Sequence, residues 1–376
     1  MRALRNVTRL LAVGTGVSVL FDPLTLRGVT ARNRIWLAAM CQYSCVEQDG
    51  MPTDWHLVNL GQHAIGGFGL VMTEATAVVP EGRISPEDTG IWSDAHMEPW
   101  RRIVEFVRGQ GAVAGIQLAH AGRKGSTWSP LLDGEGSAPE SAGGWEAVGP
   151  SAVAFDGYDV PRALTTDEVA ALPQVFADAA VRADAAGFDV VEIHGAHGYL
   201  IHQFLSPLAN QRTDRYGGTF ENRTRLVVEV VDAIRRVWPE DKPVFVRLSA
   251  TDWAPDGWDV EQTARLGAVL KDHGVDVLDI SSGGAVAHQQ ISAGPGYQVP
   301  FAREVREVSG LPVVAVGMIT EPAQAEQIVT DGSADAVMLA RAAIREPAWP
   351  FRAAHELGVD PKSAPYPPQH TRGAWR

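Results

Sequence analysis

Two histidines three residues apart, His194 and His197, are each followed by glycine, and Tyr199 stands two residues further on. Two imidazole N–H groups aimed at one carbonyl oxygen would stabilise the negative charge that builds there during nucleophilic addition. A phenol beside them could deliver a proton, a general-acid role worth roughly 10²–10⁴ in rate. A second reading makes the pair half of a metal site in a lyase or hydrolase. Zinc would then need a third ligand on a nearby strand end, and Glu192, two before His194, is the candidate. No helical His-Glu-x-x-His accompanies it. A third reading leaves both as satisfied core histidines.

Other polar groups stand at or near the ends of short apolar runs: Cys41 and Tyr43, Glu74, Gln117, Arg247 and Arg341. Each has a structural reading of its own, since a buried cysteine is usually inert packing and an arginine in a strand is often paired in the core. Their coincidence points to one shared site, because polar groups at many strand ends converge only where the strands end together. Val316-Gly317-Met318 lets backbone approach a ligand closely, Ala340-Arg341 adds a cation, and Ser281-Ser282-Gly283-Gly284 adds donors. That pattern suits a phosphate-bearing cofactor whose head group faces Gln117 and Arg247. A cation near the pyrimidine edge of a flavin would stabilise its anionic reduced form.

The elements that must position these groups alternate along the chain. Strand-like runs are Ile35–Met40, Gly69–Ala75, Val113–Leu118, Val190–His194, Val244–Ser249, Val277–Ser281, Val313–Gly317 and Ala336–Arg341, with helical stretches between them. Eight βα units predict an α/β fold, a (β/α)₈ TIM barrel forming a single domain over 21–376. A doubly wound sheet would carry a glycine-rich loop after its first strand, where this chain has Met40-Cys41-Gln42-Tyr43. Thr165-Thr166-Asp167-Glu168 predicts a capped helix start, Pro322 a second, and Glu261–Asp272 has helical spacing. The Gly-, Ser-, Pro- and Trp-rich segment Gly125–Pro161 follows the third strand. Its Phe155-Asp156-Gly157-Tyr158 predicts a hairpin in a partial lid over the barrel mouth. The Pro-rich tail from Pro365 reads as a loose terminus.

Residues 1–20 are read as an irregular N-terminal extension. Arg2, Arg5 and Arg9 ahead of an apolar run resemble the start of a signal peptide, but no small-residue cleavage site follows. In 376 residues there are 45 acids against 32 bases, a net charge of −13, which suits neither nucleic acid nor an anionic membrane. Two cysteines, Cys41 and Cys45, are too few for a disulfide scaffold and point to a reducing cytoplasm.

Several of these stretches together resemble the old yellow enzyme family, in particular its bacterial, cysteine-containing, thermophilic-like branch of FMN-dependent ene-reductases. They are Met40–Tyr43, Glu74–Ala77, Gly115–Lys124, Gly187–Tyr199, Phe204–Gly218, Val316-Gly317 and Ala340-Arg341. The resemblance runs from about Leu20 to the C-terminus and implies non-covalent FMN at the barrel mouth, reduced by NADPH or NADH. It implies an activated alkene as substrate, with His194 and His197 on its carbonyl oxygen, Tyr199 as proton donor and Tyr43 against it. Cys41 would tune the flavin. Ala38, Ala39, Met40, Cys41, Ala75, Gln117, Arg247, Gly317, Ala340 and Arg341 would bind FMN. Ala39 stands where proline is frequent in this branch. A homodimer or homotetramer is implied, with Arg372 reaching a neighbouring subunit's site. Two cysteines exclude the additional Fe–S domain of relatives that act on dienoyl thioesters.

Overall fold

A computed structural model describes residues 18–375 of the chain. It opens with a short antiparallel hairpin, β1 (Leu24–Leu26) and β2 (Val29–Ala31). The eight strands of the barrel then begin with β3 (Ile35–Leu37), β4 (Leu70–Ala77) and β5 (Val113–Ala119). After a lid segment that carries β6 (Val148–Gly149) and β7 (Arg162–Ala163) come β8 (Val190–Gly195) and β9 (Val244–Ser249). The last three are β10 (Val277–Ser281), β11 (Val313–Ala315) and β12 (Ala336–Leu339). All eight barrel strands pair in parallel, and β12 returns to β3 to close the barrel. Runs of Val, Ile and Leu form these strands because each is buried on both faces, inside against the barrel core and outside against helices.

Every expected run is a strand, and Val244–Ser249 and Val277–Ser281 match end for end. Three runs end earlier than expected. The first stops at Leu37, the seventh at Ala315 and the eighth at Leu339, since the residues beyond leave the ladder to build the mouth. The lower barrel is filled by side chains such as Met72, Val190 and Phe245, with Trp36 stacked on Phe245 at 5.7 Å. The β1–β2 hairpin lays Leu24, Leu26 and Val29 against this layer and plugs the N-terminal end.

Helices form the outer ring: α1 (Asp54–Ile65), α2 (Met97–Gly109), α3 (Thr166–Ala186), α4 (Leu200–Leu205) and α5 (Phe220–Arg235). They continue with α6 (Val260–Asp272), α7 (Val299–Ser309), α8 (Pro322–Thr330), α9 (Arg341–Arg345) and α10 (Trp349–Glu356). The Thr165 hydroxyl accepts the Glu168 N–H at 3.2 Å and the Glu168 carboxylate accepts the Thr165 N–H at 2.7 Å, the reciprocal cap expected for α3. No described helix is long and apolar enough to cross a membrane.

The lid differs from a hairpin. Asp156-Gly157 does form a turn, closed by the Tyr158 N–H on the Phe155 carbonyl at 2.9 Å. Its flanks, β6 and β7, pair in parallel, so the segment is a looped cover held by two-residue pairing. The turn chemistry was local, but the pairing direction was set by where the chain re-enters the barrel. The tail is laid against α10, with Tyr366 stacked on Phe351 at 4.3 Å and Trp375 beside His355 at 5.0 Å. At the other end, the boundary expected after residue 20 falls inside packed structure. Leu20 is fully buried, and Glu326 accepts the backbone N–H groups of Val19 and Leu20 at 2.9 and 3.0 Å. The remainder of the N-terminal extension lies outside the described residues.

Candidate active site

β8 delivers His194 to the mouth level with Arg247 of β9. The chain then turns through two consecutive left-handed residues, His197 at φ 58° and Gly198 at φ 75°. Glycine is required at 198, because a Cβ there would lie 2.0 Å from the Gly284 carbonyl oxygen. A histidine at positive φ costs about 1–3 kcal/mol and persists only where its surroundings over-determine it. Here the Ser249 hydroxyl accepts the His197 N–H at 3.0 Å, and the Lys124 ammonium donates to the His197 carbonyl at 2.9 Å.

The turn gathers three polar rings. The centroids of His194 and His197 are 5.2 Å apart, and those of His194 and Tyr199 are 5.0 Å apart, both edge to face. Burial, with Arg247 next, pushes both imidazoles well below the usual histidine value, so each is neutral and has one N–H to give. The His194 Nδ1 accepts the Ala196 N–H at 3.3 Å, which assigns its proton to Nε2. The His197 Nε2 lies 2.7 Å from the Ser281 hydroxyl. The Ser281 hydroxyl also reaches the Gln298 side-chain oxygen at 3.5 Å, where the Ser282 hydroxyl donates at 2.6 Å. Burial, with Cys41 and Tyr43 adding to it, raises the Tyr199 phenol, so it carries its proton at neutral pH.

Cys41 and Tyr43 flank Gln42 on the loop after β3. The Glu74 carboxylate accepts the Gln42 N–H at 2.9 Å and meets the His56 Nε2 at 3.0 Å. The His56 Nδ1 in turn accepts the Thr53 N–H at 2.8 Å. A bulge between Met72 and Ala75 re-aims β4, placing Glu74 against this loop while Ala75 stays level with Gln117. Glu74 is therefore a support of the loop. Burial, followed by Asp88 and Glu74, raises the Cys41 thiol, which remains a neutral, weak donor.

Deeper in the mouth, the Gln117 amide donates to Glu192 at 2.7 Å, and the Arg247 Nε lies 3.0 Å from Asp279. Glu192, pushed up to about 8 by burial and by Asp279, is thus committed to Gln117 and is no third ligand for the histidines. Among the described residues no group of three His, Cys, Asp or Glu side chains converges as a metal site.

A cleft opens beyond the ends of β11 and β12, lined by Gln298, Gly317, Met318, Ala340, Arg341 and Arg345 among others. Gly317 has φ 114°, and a Cβ on it would come within 2.6 Å of the Gln298 amide nitrogen. Two exposed guanidiniums at this end suit a phosphate. Buried Gln117 and Arg247 stand near the histidines, and among the described residues the Arg247 Nε has no aligned hydrogen-bond partner. These residues fit a phosphate-bearing flavin. Ala38 is buried at the end of β3, while Ala39, Met40 and Cys41 lie partly exposed beyond it.

Arg372 does not join them. It is exposed on the tail, with no hydrogen bond or ion pair to the mouth among the described residues. Lys124 is a site residue that motif spacing did not single out. It lies over the rings of Tyr199 at 5.1 Å and the lid's Phe155 at 4.7 Å, and burial pushes it down to about 8. Its signal was its place at the end of Gly115–Lys124, just past the third strand. Tyr158 of the lid, close enough to act on the Tyr199 phenol, was visible only as part of a turn.

Residues 19–360 match the model of the NADH:flavin oxidoreductase / NADH oxidase family. An NADPH dehydrogenase of Geobacillus thermodenitrificans is 47% identical over 360 residues, covering 96% of this chain and 99% of that protein. Among solved structures, morphinone reductase in complex with tetrahydroNAD superposes with a TM-score of 0.75 at 29% identity, covering 92% of this chain and 93% of that one. The old yellow enzyme homologue from Zymomonas mobilis gives 0.74 at 30% identity, with coverage of 93% and 99%. The match is therefore to whole proteins, barrel and mouth together. This chain belongs to the NADH:flavin oxidoreductase / NADH oxidase family, the old yellow enzyme family, and is an FMN-dependent NAD(P)H oxidoreductase.

Proposed function

We propose that the enzyme reduces the C=C bond of α,β-unsaturated carbonyl compounds. When bound, FMN supplies the hydride, taken from NADPH or NADH and passed to the β-carbon of the alkene. The His194 Nε2–H and an N–H of His197 hold the carbonyl oxygen and stabilise the charge that moves onto it. The Tyr199 hydroxyl gives its proton to the α-carbon, so hydride and proton together saturate the double bond. Tyr43 would lie against the substrate, and the neutral Cys41 thiol would meet the cofactor as a weak donor. Gln117 and Arg247 would hold its head group, and Ala38, Ala39, Met40, Ala75, Gly317, Ala340 and Arg341 would complete its cradle. In an oligomer, Arg372 reaches a neighbouring subunit's mouth.

The convergence of two neutral imidazoles and one protonated phenol at a single opening carries this reading. Purified protein should be yellow, bleach anaerobically with NADPH and recolour on adding 2-cyclohexenone. A flavoprotein that NADPH bleaches but no enone, nitroalkene or maleimide recolours would end the proposal. Sedimentation of Arg372→Ala beside the parent, with enone KM for both, tests the intersubunit contact. Unchanged KM would refute it.

A further inference from the structure

A second buried histidine lies directly behind the turn that carries His197 and Tyr199. His202, on α4, is fully buried, and its Nδ1 accepts the Gly198 N–H at 2.8 Å. Gly198 is the one residue between His197 and Tyr199. With Nδ1 accepting, the ring proton sits on Nε2. That nitrogen is 2.8 Å from the Asp252 Oδ1, close but off the line of an ideal hydrogen bond. Asp252 is itself fully buried and fixed on its other oxygen by the Ser206 hydroxyl at 2.6 Å and the Trp258 N–H at 2.7 Å.

The remaining polar groups of the turn are also held. Gln203 donates to the Gly198 carbonyl at 2.7 Å, and Lys124 and Ser249 hold the His197 peptide as described above. Each of these bonds fixes one side of the left-handed pair. The bond from His202 holds the N–H edge of the peptide that joins His197 to Gly198, opposite the carbonyl edge held by Lys124.

We propose that His202, oriented by Asp252, is a positioning residue: its Nδ1 holds the Gly198 N–H and so sets the placement of Tyr199 relative to His197. This inference rests on the roles proposed above for those two residues. A misplacement of about 1 Å at a reacting group costs on the order of 10²-fold in rate.

Two substitutions separate the two edges of the ring. The side-chain oxygen of His202→Asn can occupy the Nδ1 position and keep the bond to Gly198 while giving up Asp252. His202→Gln reaches the Nε2 position, keeping Asp252 and losing Gly198. Each FMN-loaded holoenzyme is reduced with NADPH in a stopped-flow instrument and mixed either with 2-cyclohexenone or with dioxygen. Reoxidation by dioxygen needs neither the imidazole nor the phenol and reports an intact flavin site.

The expected result is that His202→Gln reoxidises roughly 10²-fold more slowly with the enone and at the parent rate with dioxygen. His202→Asn should stay near the parent in both. Equal loss in the two variants, loss of FMN from His202→Gln, or parent-like enone rates in both would overturn the proposal. Loss confined to His202→Asn would overturn it too, by assigning the effect to the Asp252 contact. A parent enzyme that the enone does not reoxidise instead refutes the proposed alkene reduction.

Discussion

At the scale of single residues, the site works through neutral groups kept neutral by burial. Neither imidazole can serve as a charged electrophile, so each can contribute one N–H. Tyr199 retains its proton because its phenolate would be desolvated beside Cys41 and Tyr43. Tyr199→Phe should therefore leave NADPH-driven bleaching intact and slow reoxidation by an enone roughly 10²–10⁴-fold. Stopped-flow measurement of the two half-reactions checks this, and equal loss in both would remove the proton-donor role. Gly317→Ala forces a side chain into φ 114° and toward Gln298. Strain of about 1–3 kcal/mol should weaken FMN binding roughly ten- to hundredfold, read by fluorescence titration of the apoprotein.

At the scale of elements, loops between strands and helices hold the chemistry, and buried carboxylate–imidazole pairs brace those loops from behind. Glu74 with His56 secures the Cys41–Tyr43 loop. Glu74→Gln keeps the volume but weakens the acceptor at the Gln42 N–H. Because Cys41 rides on this loop, the expected outcome is a shifted flavin midpoint potential with little change in FMN content, checked by dye-coupled reductive titration. Helix caps act on stability alone. Thr165→Ala removes one half of the reciprocal cap of α3 and should cost about 1 kcal/mol in denaturant unfolding, without altering turnover.

At the scale of the whole molecule, buried titratable groups of both kinds shape stability against pH. Burial drives His120 down to about 4, so the unfolded chain takes up a proton at the ordinary value near 6.5 that the folded chain refuses. The imidazole contribution therefore declines as pH falls from about 6.5 to about 4. Glu192 acts in the opposite sense, since the folded chain keeps its proton up to about 8 while the unfolded chain has released it. Its contribution is present in full below about 4.5 and is lost as pH rises toward about 8. In calorimetry, Glu192→Gln should therefore raise the Tm at pH 8 relative to that at pH 6.5 when compared with the parent. A difference between the two pH values that is unchanged in the variant would contradict the assignment.

The barrel and the residues of its candidate site were readable from the chain itself, because both follow from local pattern. Apolar runs such as Val244–Ser249 can satisfy their backbone and bury two faces only as inner strands, and for this run and Val277–Ser281 the ends were visible to the residue. His194, His197 and Tyr199 announced themselves by type and spacing. What remained hidden depends on contacts between distant segments. The plugging hairpin β1–β2, the parallel pairing of β6 with β7 and the packing of Leu20 on the barrel have no local signature. Pairing partners were equally invisible: Glu192 is bound to Gln117, 75 residues away, and Lys124 reaches the His197 carbonyl across 73. Sequence spacing says which side chains can share a face, but only closure of the barrel decides which buried charge meets which.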